Sequence, residues 1–182
     1  QRLGAVGEGW KVSLTTLMNE RLAVGDAPGP DAQDILRLAR MLRLEGEPAL
    51  QDAAVRERLA DWYVKAQGLK FTKFRTMTAL SRGQTPGPEA SITKVVSASK
   101  LQEIASFGMD MQGMGGVVTD PALAPLQAWF QEALLYAPGL RIAGGTDEIL
   151  RNIIAERVLG LPPDVRVDKS ASFAELQRAR QA

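Results

Sequence analysis

The stretch PALQDAAVRERLADWYVKAQGLKFTKFRTMTALSR, residues 48–82, places Val55, Leu59, Trp62, Ala66 and Leu69 at spacings of 4, 3, 4 and 3. On an α-helix of about 3.6 residues per turn that spacing returns apolar side chains to one side, and such a seam packs against other helices. The same period recurs on both sides of this stretch. From about Glu8 to Gly25, the residues Trp10, Leu14, Leu17, Met18, Leu22 and Val24 share a face, and Gly25 is a fitting stop. Asp26 to Pro30 reads as a Pro/Gly loop, and Asp31 to Leu44 as a short helix ended by Gly46. Thr85-Pro86-Gly87-Pro88 is a turn with a proline suited to the first helical position. Glu89 to about Gln112 follows as a helix with Ile92, Val95, Ala98, Leu101, Ala105 and Gly108 along one side, small enough for close helix approach. Asp120-Pro121 is a cap-and-start pair for a helix carrying Leu123, Leu126, Phe130 and Leu134, ending before Pro138-Gly139. Thr146 caps the last helix, with Asp147 and Glu148 in its first turn and Leu150, Ile153, Ile154, Val158 and Leu161 inward. Strand signals are almost absent, the nearest being Val117-Val118. Long helices joined by short loops predict an all-α, up-and-down four-helix bundle.

At 182 residues and 45% apolar, the chain can bury one sizeable core, and two domains would be a squeeze. Lys plus Arg is 22 against 21 for Asp plus Glu, a net charge of +1 that makes no electrostatic case for nucleic acid or an anionic membrane. No run approaches the roughly 20 apolar residues of a membrane span, and the start lacks a signal-peptide layout, so a soluble, cytoplasmic protein is the default expectation. With no His and no Cys, an imidazole base, a thiolate nucleophile, a disulfide framework and an ordinary zinc, iron–sulfur or haem-thiolate site are all excluded. No metal is expected, and acid–base chemistry falls to carboxylates, Lys, Tyr63 and Tyr136. The chain opens at Gln1 without an initiator Met, and QRLGAVGEGW reads as a linker inside a longer polypeptide.

Two constellations could carry chemistry. On the first helix, Arg21 falls within the apolar stripe and Glu20 on its edge. That position admits a half-buried salt bridge to another helix, or a carboxylate in an apolar wall, where desolvation raises its pKa toward that of a general base. In Arg141-Ile-Ala-Gly-Gly-Thr-Asp-Glu148, two glycines and a Thr at a helix N-terminus expose backbone N–H groups that suit a phosphate or a carbonyl oxygen, or simply make a turn and an N-cap. Gln112-Gly-Met-Gly-Gly116 follows a helix with no strand before it, so it reads as a helix C-cap and not a dinucleotide fingerprint. The run Arg56 to Arg82 holds seven Lys/Arg against two acids, a solvated face or an attractor for nucleotide phosphates.

The string RIAGGTDEILRNIIAERVLGLP, residues 141–162, resembles the C-terminal signature of the acyl-CoA dehydrogenases. GWKVSLTTLMNERLAVG, residues 9–25, resembles the first helix of their C-terminal bundle, and PEASITKVVSASKLQEIASFGMDMQGMGG from Pro88 is similar to their third bundle helix and the flavin-contacting loop after it. The resemblance implies residues 1–8 as the end of a preceding β-domain and linker, 9–162 as the C-terminal helical bundle and 163–182 as a tail. It implies an oxidoreductase of β-oxidation and lipid metabolism with FAD between domains and subunits, and α,β-dehydrogenation of an acyl-CoA thioester in which a Glu takes the α-proton. Implied partners are the acyl-CoA substrate, an electron-transfer flavoprotein as acceptor, and further subunits in a homo- or hetero-oligomer, dimer or tetramer. The fragment alone is expected to be inactive.

In most of that family the base stands immediately before the Gly-Thr pair, which here is Gly144. A minority branch carries the Glu on the first bundle helix, directly before an Arg, with a small residue before Gly-Thr. Glu20-Arg21 and Gly144 fit that branch, which implies Glu20 as the base. By the same resemblance Arg21 and Gly145 contact substrate, and Thr146, Glu148, Asp110 and Gly113 contact FAD. The family's Arg-x-Gln-Phe-Gly motif is missing from Arg37 to Gly46, and Asp110 stands where a Gln often meets flavin. These departures leave two alternatives: a catalytically silent partner subunit or oligomerisation module, and an acyl-CoA oxidase.

Overall fold

A computed structural model describes residues 2–25, 28–84, 87–163 and 171–181, with the side chains of 18, 21–25, 173 and 179–181 also left undescribed. Seven helices are described, and α4 (Ala90–Met111) organises them. It packs against α1 (Gly9–Gly25), α2 (Ala32–Met41), α3 (Ala53–Ser81), α5 (Trp129–Ile142) and α6 (Asp147–Arg157). Its buried residues, Val95, Ala98, Leu101, Ile104, Ala105, Gly108 and Met111 among them, recur every three or four positions, which is why one helix serves several neighbours. The result is the expected all-α bundle, and α7 (Phe173–Gln181) lies in the segment expected as a tail.

Two apolar clusters share α4. One joins Ile35 and Leu38 of α2, Val55 and Trp62 of α3, Ile104 and Met111 of α4 and Phe130 of α5. The other is the α4–α5 seam, where Ala98, Ala105, Ala133 and Ala137 let the backbones approach and Leu101 and Leu140 fill the remainder. Gly108 belongs to this design, because a Cβ there would run into the Phe130 ring, which is fully buried. Gly108→Val is expected to lower stability by about 1–3 kcal/mol through overpacking. Thermal unfolding followed by circular dichroism checks this, and an unchanged melting temperature would contradict it.

Between α3 and α4, Glu103 accepts from Trp62 Nε1–H (3.3 Å) and Lys65 Nζ (2.9 Å). Burial pushes the Glu103 carboxyl up, and the bonds from Lys65 and Trp62 outweigh it and hold the group below its ordinary value. A depressed carboxylate contributes stability that is present above the ordinary value and lost as pH falls through the folded one. Acid unfolding of Glu103→Gln is therefore expected to be shallower below about pH 4.5 than that of the wild type.

Several expectations are corrected. Trp10 and Leu14 are exposed, Trp10 by 73%, because among the described residues α1 packs chiefly on α4. Leu17 is half-buried; the side chains of Met18, Leu22 and Val24 lie outside the described residues, as do Asp26 and Thr85-Pro86 of the expected turns. The second helix ends at Met41, not Leu44. Asp31 caps it in a capping box with Asp34. A minimal hairpin follows, β1 (Arg43–Leu44) against β2 (Glu47–Pro48), turned by Glu45 and Gly46 at φ 50° and 88°. Val117-Val118 is not a strand: Gly113–Val117 forms a 3-10 turn. Gly113 follows the α4 cap residue Gln112 at φ 53°, as a glycine C-cap requires.

The helix expected from Asp120 starts instead at Trp129. The Asp120 side chain accepts from Ala122 N–H (2.9 Å) in a local turn, and Pro125 holds Ala124 extended. Leu126, Gln127 and Ala128 then run at φ 50–59°, a left-handed stretch no helix continues through. At its other end α5 passes through Pro138 to Ile142, since a proline near the last turn forfeits only one backbone bond. Val158 and Leu161, expected inward, are exposed because α6 ends at Arg157. On α3 the seam is real through Leu69, but Phe71, Phe74, Met77 and Leu80 are each half-exposed or more.

Candidate active site

The segment from Arg141 to Glu148 joins α5 to α6, and its shape is set by two glycines and three charged side chains. Gly144 and Gly145 sit at φ 66° and 114°, conformations L side chains rarely adopt. Thr146 is the N-cap of α6, its hydroxyl accepting from Ile149 N–H (3.4 Å). Beneath the loop lies Lys94 of α4, fully buried. Its Nζ donates to the Arg141 carbonyl (2.6 Å), the Gly145 carbonyl (2.9 Å) and Asp147 Oδ1 (3.3 Å). Asp147, itself buried, also accepts from Arg141 Nε (2.7 Å), and Arg141 reaches Gln102 Oε1 through Nη1 (3.1 Å).

These partners satisfy a buried ion pair that would otherwise be costly. Lys94 and Arg141 set two cations beside the Asp147 carboxylate under the α6 N-terminus, where the positive end of the helix dipole also favours an anion. Glu148, the next residue, is exposed, and its carboxylate accepts from its own backbone N–H and from the Thr146 hydroxyl, which hold it below the ordinary value. The donors at this terminus thus already serve an anionic group. A cleft of about 290 Å³ opens here, lined by Gln102, Pro138, Arg141, Ile142, Thr146 and Glu148.

Glu20 is half-buried on α1, and α1 packs on α4, the helix that also anchors the loop through Lys94. The side chain of Arg21 lies outside the described residues. Asp110 and Gly113 are not brought to the loop. They lie at the far end of α4, sixteen or more residues beyond Lys94, about 24 Å at the rise of an α-helix. Asp110 borders a separate cleft of about 220 Å³ with Arg58, Trp62 and Glu103. The expected cofactor residues therefore form two groups in one chain, Thr146-Glu148 and Asp110-Gly113, with the expected substrate residue Gly145 beside the first.

Lys94 and Asp147 escaped assignment to the site by sequence reasoning. A signal was available. With Val95 at 0°, Lys94 falls at about 260°, between Leu101 at about 240° and Ala105 at about 280°, the middle of the buried arc of α4. A lysine there demands buried partners. Among the described residues no group of three or more His, Cys, Asp or Glu side chains could hold a metal, and no helix is long and apolar enough to cross a membrane.

The family model described as "Acyl-CoA dehydrogenase, C-terminal domain" matches residues 7–159. The acyl-CoA dehydrogenase FadE34 of Mycobacterium tuberculosis is 33% identical over 88% of this chain and 21% of its own length. The acyl-CoA dehydrogenase IpdE1 of Mycolicibacterium smegmatis is 32% identical over 90% of this chain and 40% of its own. Among solved structures, a chain of the ChsE4-ChsE5 complex from Mycobacterium tuberculosis superposes with a TM-score of 0.68 at 23% identity, over 87% of this chain and 42% of that one. The chain thus spans well under half the length of the relatives it matches.

Proposed function

The chain belongs to the acyl-CoA dehydrogenase family as its C-terminal domain, and from that premise we propose that it is the helical bundle of a longer FAD-dependent subunit that dehydrogenates an acyl-CoA thioester between Cα and Cβ. FAD, when bound, supplies the acceptor for the β-hydride. Glu20 takes the α-proton, Arg21 and Gly145 face the thioester end of the substrate, and Thr146 and Glu148 face the cofactor.

The observation that carries this reading is the conformation of Gly144 beside the placement of Glu20. At φ 66° the loop position that holds the base in most of the family suits glycine and strains a glutamate, whereas Glu20 sits half-buried on the helix against α4. A carboxylate on that helix can act as a general base once it is within hydrogen-bond reach of the α-proton. The residues present fit the cofactor. The Thr146 hydroxyl and the Glu148 N–H, which hold the anionic Glu148 carboxylate, are donors of the kind that phosphate oxygens need at a helix N-terminus. Asp110 and Gly113, remote from the loop, would meet a different part of FAD or the FAD of a neighbouring subunit.

Exposed Phe71, Phe74, Met77 and Leu80 on α3 favour further subunits around this bundle, in a homo- or hetero-oligomer. Transfer of electrons to an electron-transfer flavoprotein, a place in β-oxidation and a cytoplasmic location belong to the same proposal. The exposed α3 face also supports a second reading, a catalytically silent partner subunit. The full-length subunit, purified with whatever chains accompany it, separates the two. The first reading predicts a flavin spectrum and an acyl-CoA product lighter by two hydrogen atoms, tested over short-chain, long-chain and steroid-bearing thioesters. A stable oligomer without flavin supports the silent partner.

A further inference from the structure

We infer that Lys94 is a positioning residue that aims the Gly145–Thr146 peptide of the cofactor loop, a role that rests on the FAD reading of that loop. Lys94 has no exposed surface, and its three hydrogens meet three acceptors, all within the Arg141–Asp147 segment: the Arg141 carbonyl, the Gly145 carbonyl and Asp147 Oδ1. A lysine kept only to neutralise Asp147 would be redundant, because Arg141 already donates to the other carboxylate oxygen at 2.7 Å. The distinctive contacts are those to the two carbonyls.

The Gly145 contact has a directional consequence. In a trans peptide the carbonyl and the following N–H point opposite ways. Drawing the Gly145 oxygen down onto Lys94 Nζ turns the Thr146 N–H up, away from α4 and toward the mouth of the cleft lined by Arg141, Thr146 and Glu148. Gly145, at φ 114°, has the backbone freedom to let this peptide rotate, so a tether is needed to fix it. The Arg141 carbonyl is held by the same Nζ at 2.6 Å, which clamps the loop at both of its ends to a single point on α4. Lys94 therefore sets the direction of a donor without itself touching a ligand.

The test uses the full-length flavoprotein with Lys94→Gln, Lys94→Met and, as a control, Lys65→Met, which removes an ion pair at the α3–α4 contact remote from the loop. FAD dissociation is timed by the rise of free-flavin fluorescence, and the bound-flavin absorption envelope is recorded beside thermal unfolding. Both Lys94 variants are expected to release FAD about tenfold faster or more, with an altered flavin envelope and Met worse than Gln, since one charge-assisted contact is misplaced. Lys65→Met is expected to melt lower yet keep the wild-type dissociation rate and spectrum. A folded Lys94 variant with wild-type FAD release and spectrum overturns the inference. If Lys94→Met fails to fold, Lys94→Gln decides, and failure of both to fold assigns Lys94 to stability alone and overturns the inference too. A wild-type protein without FAD strikes the reading of the loop instead.

Discussion

Trp62→Ala in the full-length subunit is expected to remove about 3–5 kcal/mol of unfolding free energy, the range for emptying a large aromatic site in a packed core. Trp62 is 1% exposed and stands at the centre of the cluster that α2, α3 and α4 build together. Its ring meets Phe107 edge-on at 5.3 Å between centroids, and its indole N–H donates to Glu103. Truncation leaves a cavity and unpairs that carboxylate from one of its donors. For a domain of this size the melting temperature should fall by about 6–20 °C. Trp62→Phe keeps most of the volume and loses the indole donor, so it should cost about 1–2 kcal/mol. Denaturant titrations of both variants check the pair. A loss below about 1 kcal/mol for Trp62→Ala would mean that the α3–α4 seam does not hold the bundle together.

That seam was legible from the spacing of Val55, Leu59, Trp62, Ala66 and Leu69 because burial on a helix is written in a period close to 3.6 residues. The same period identified α4 and its small-residue face, and the cap residues Asp31 and Thr146 stand where the helices begin. Other features obey local stereochemistry that periodicity does not sense. Pro125 reaches back to keep Ala124 extended, and three residues in the left-handed region delay α5 to Trp129 although Asp120-Pro121 has the composition of a helix start. The Trp10–Leu14 stripe has a helical apolar pattern and yet is exposed among the described residues, because periodicity marks a face and not what covers it. At the site, the loop and its glycines stood out by composition. Lys94 did not, since a lysine in a helix reads as solvent-facing until its angle on the wheel is compared with Leu101 and Ala105. The separation of Asp110 from Thr146 follows only from which turn of α4 each element meets.

Glu20→Gln is expected to slow reduction of the flavin by acyl-CoA about 10²- to 10⁴-fold in the full-length protein, the usual contribution of a positioned general base. An amide of nearly the same shape keeps the packing of α1 on α4, so substrate and FAD binding should change little and the loss should fall on kcat. Rescue by another group is not expected among the nearest candidates: position 144 is a glycine at φ 66°, and Asp147 is already engaged by Lys94 and Arg141. Glu8 provides a control toward the start of α1, exposed and 3.7 Å from Lys11. The most direct measurement is anaerobic stopped-flow mixing of the full-length flavoprotein with saturating acyl-CoA, comparing wild type, Glu8→Gln and Glu20→Gln. Bleaching of the flavin at the same rate in wild type and Glu8→Gln, and at least about a hundredfold more slowly in Glu20→Gln, is the predicted result. Equal bleaching in Glu20→Gln and wild type, or no bleaching in any of the three, would contradict it.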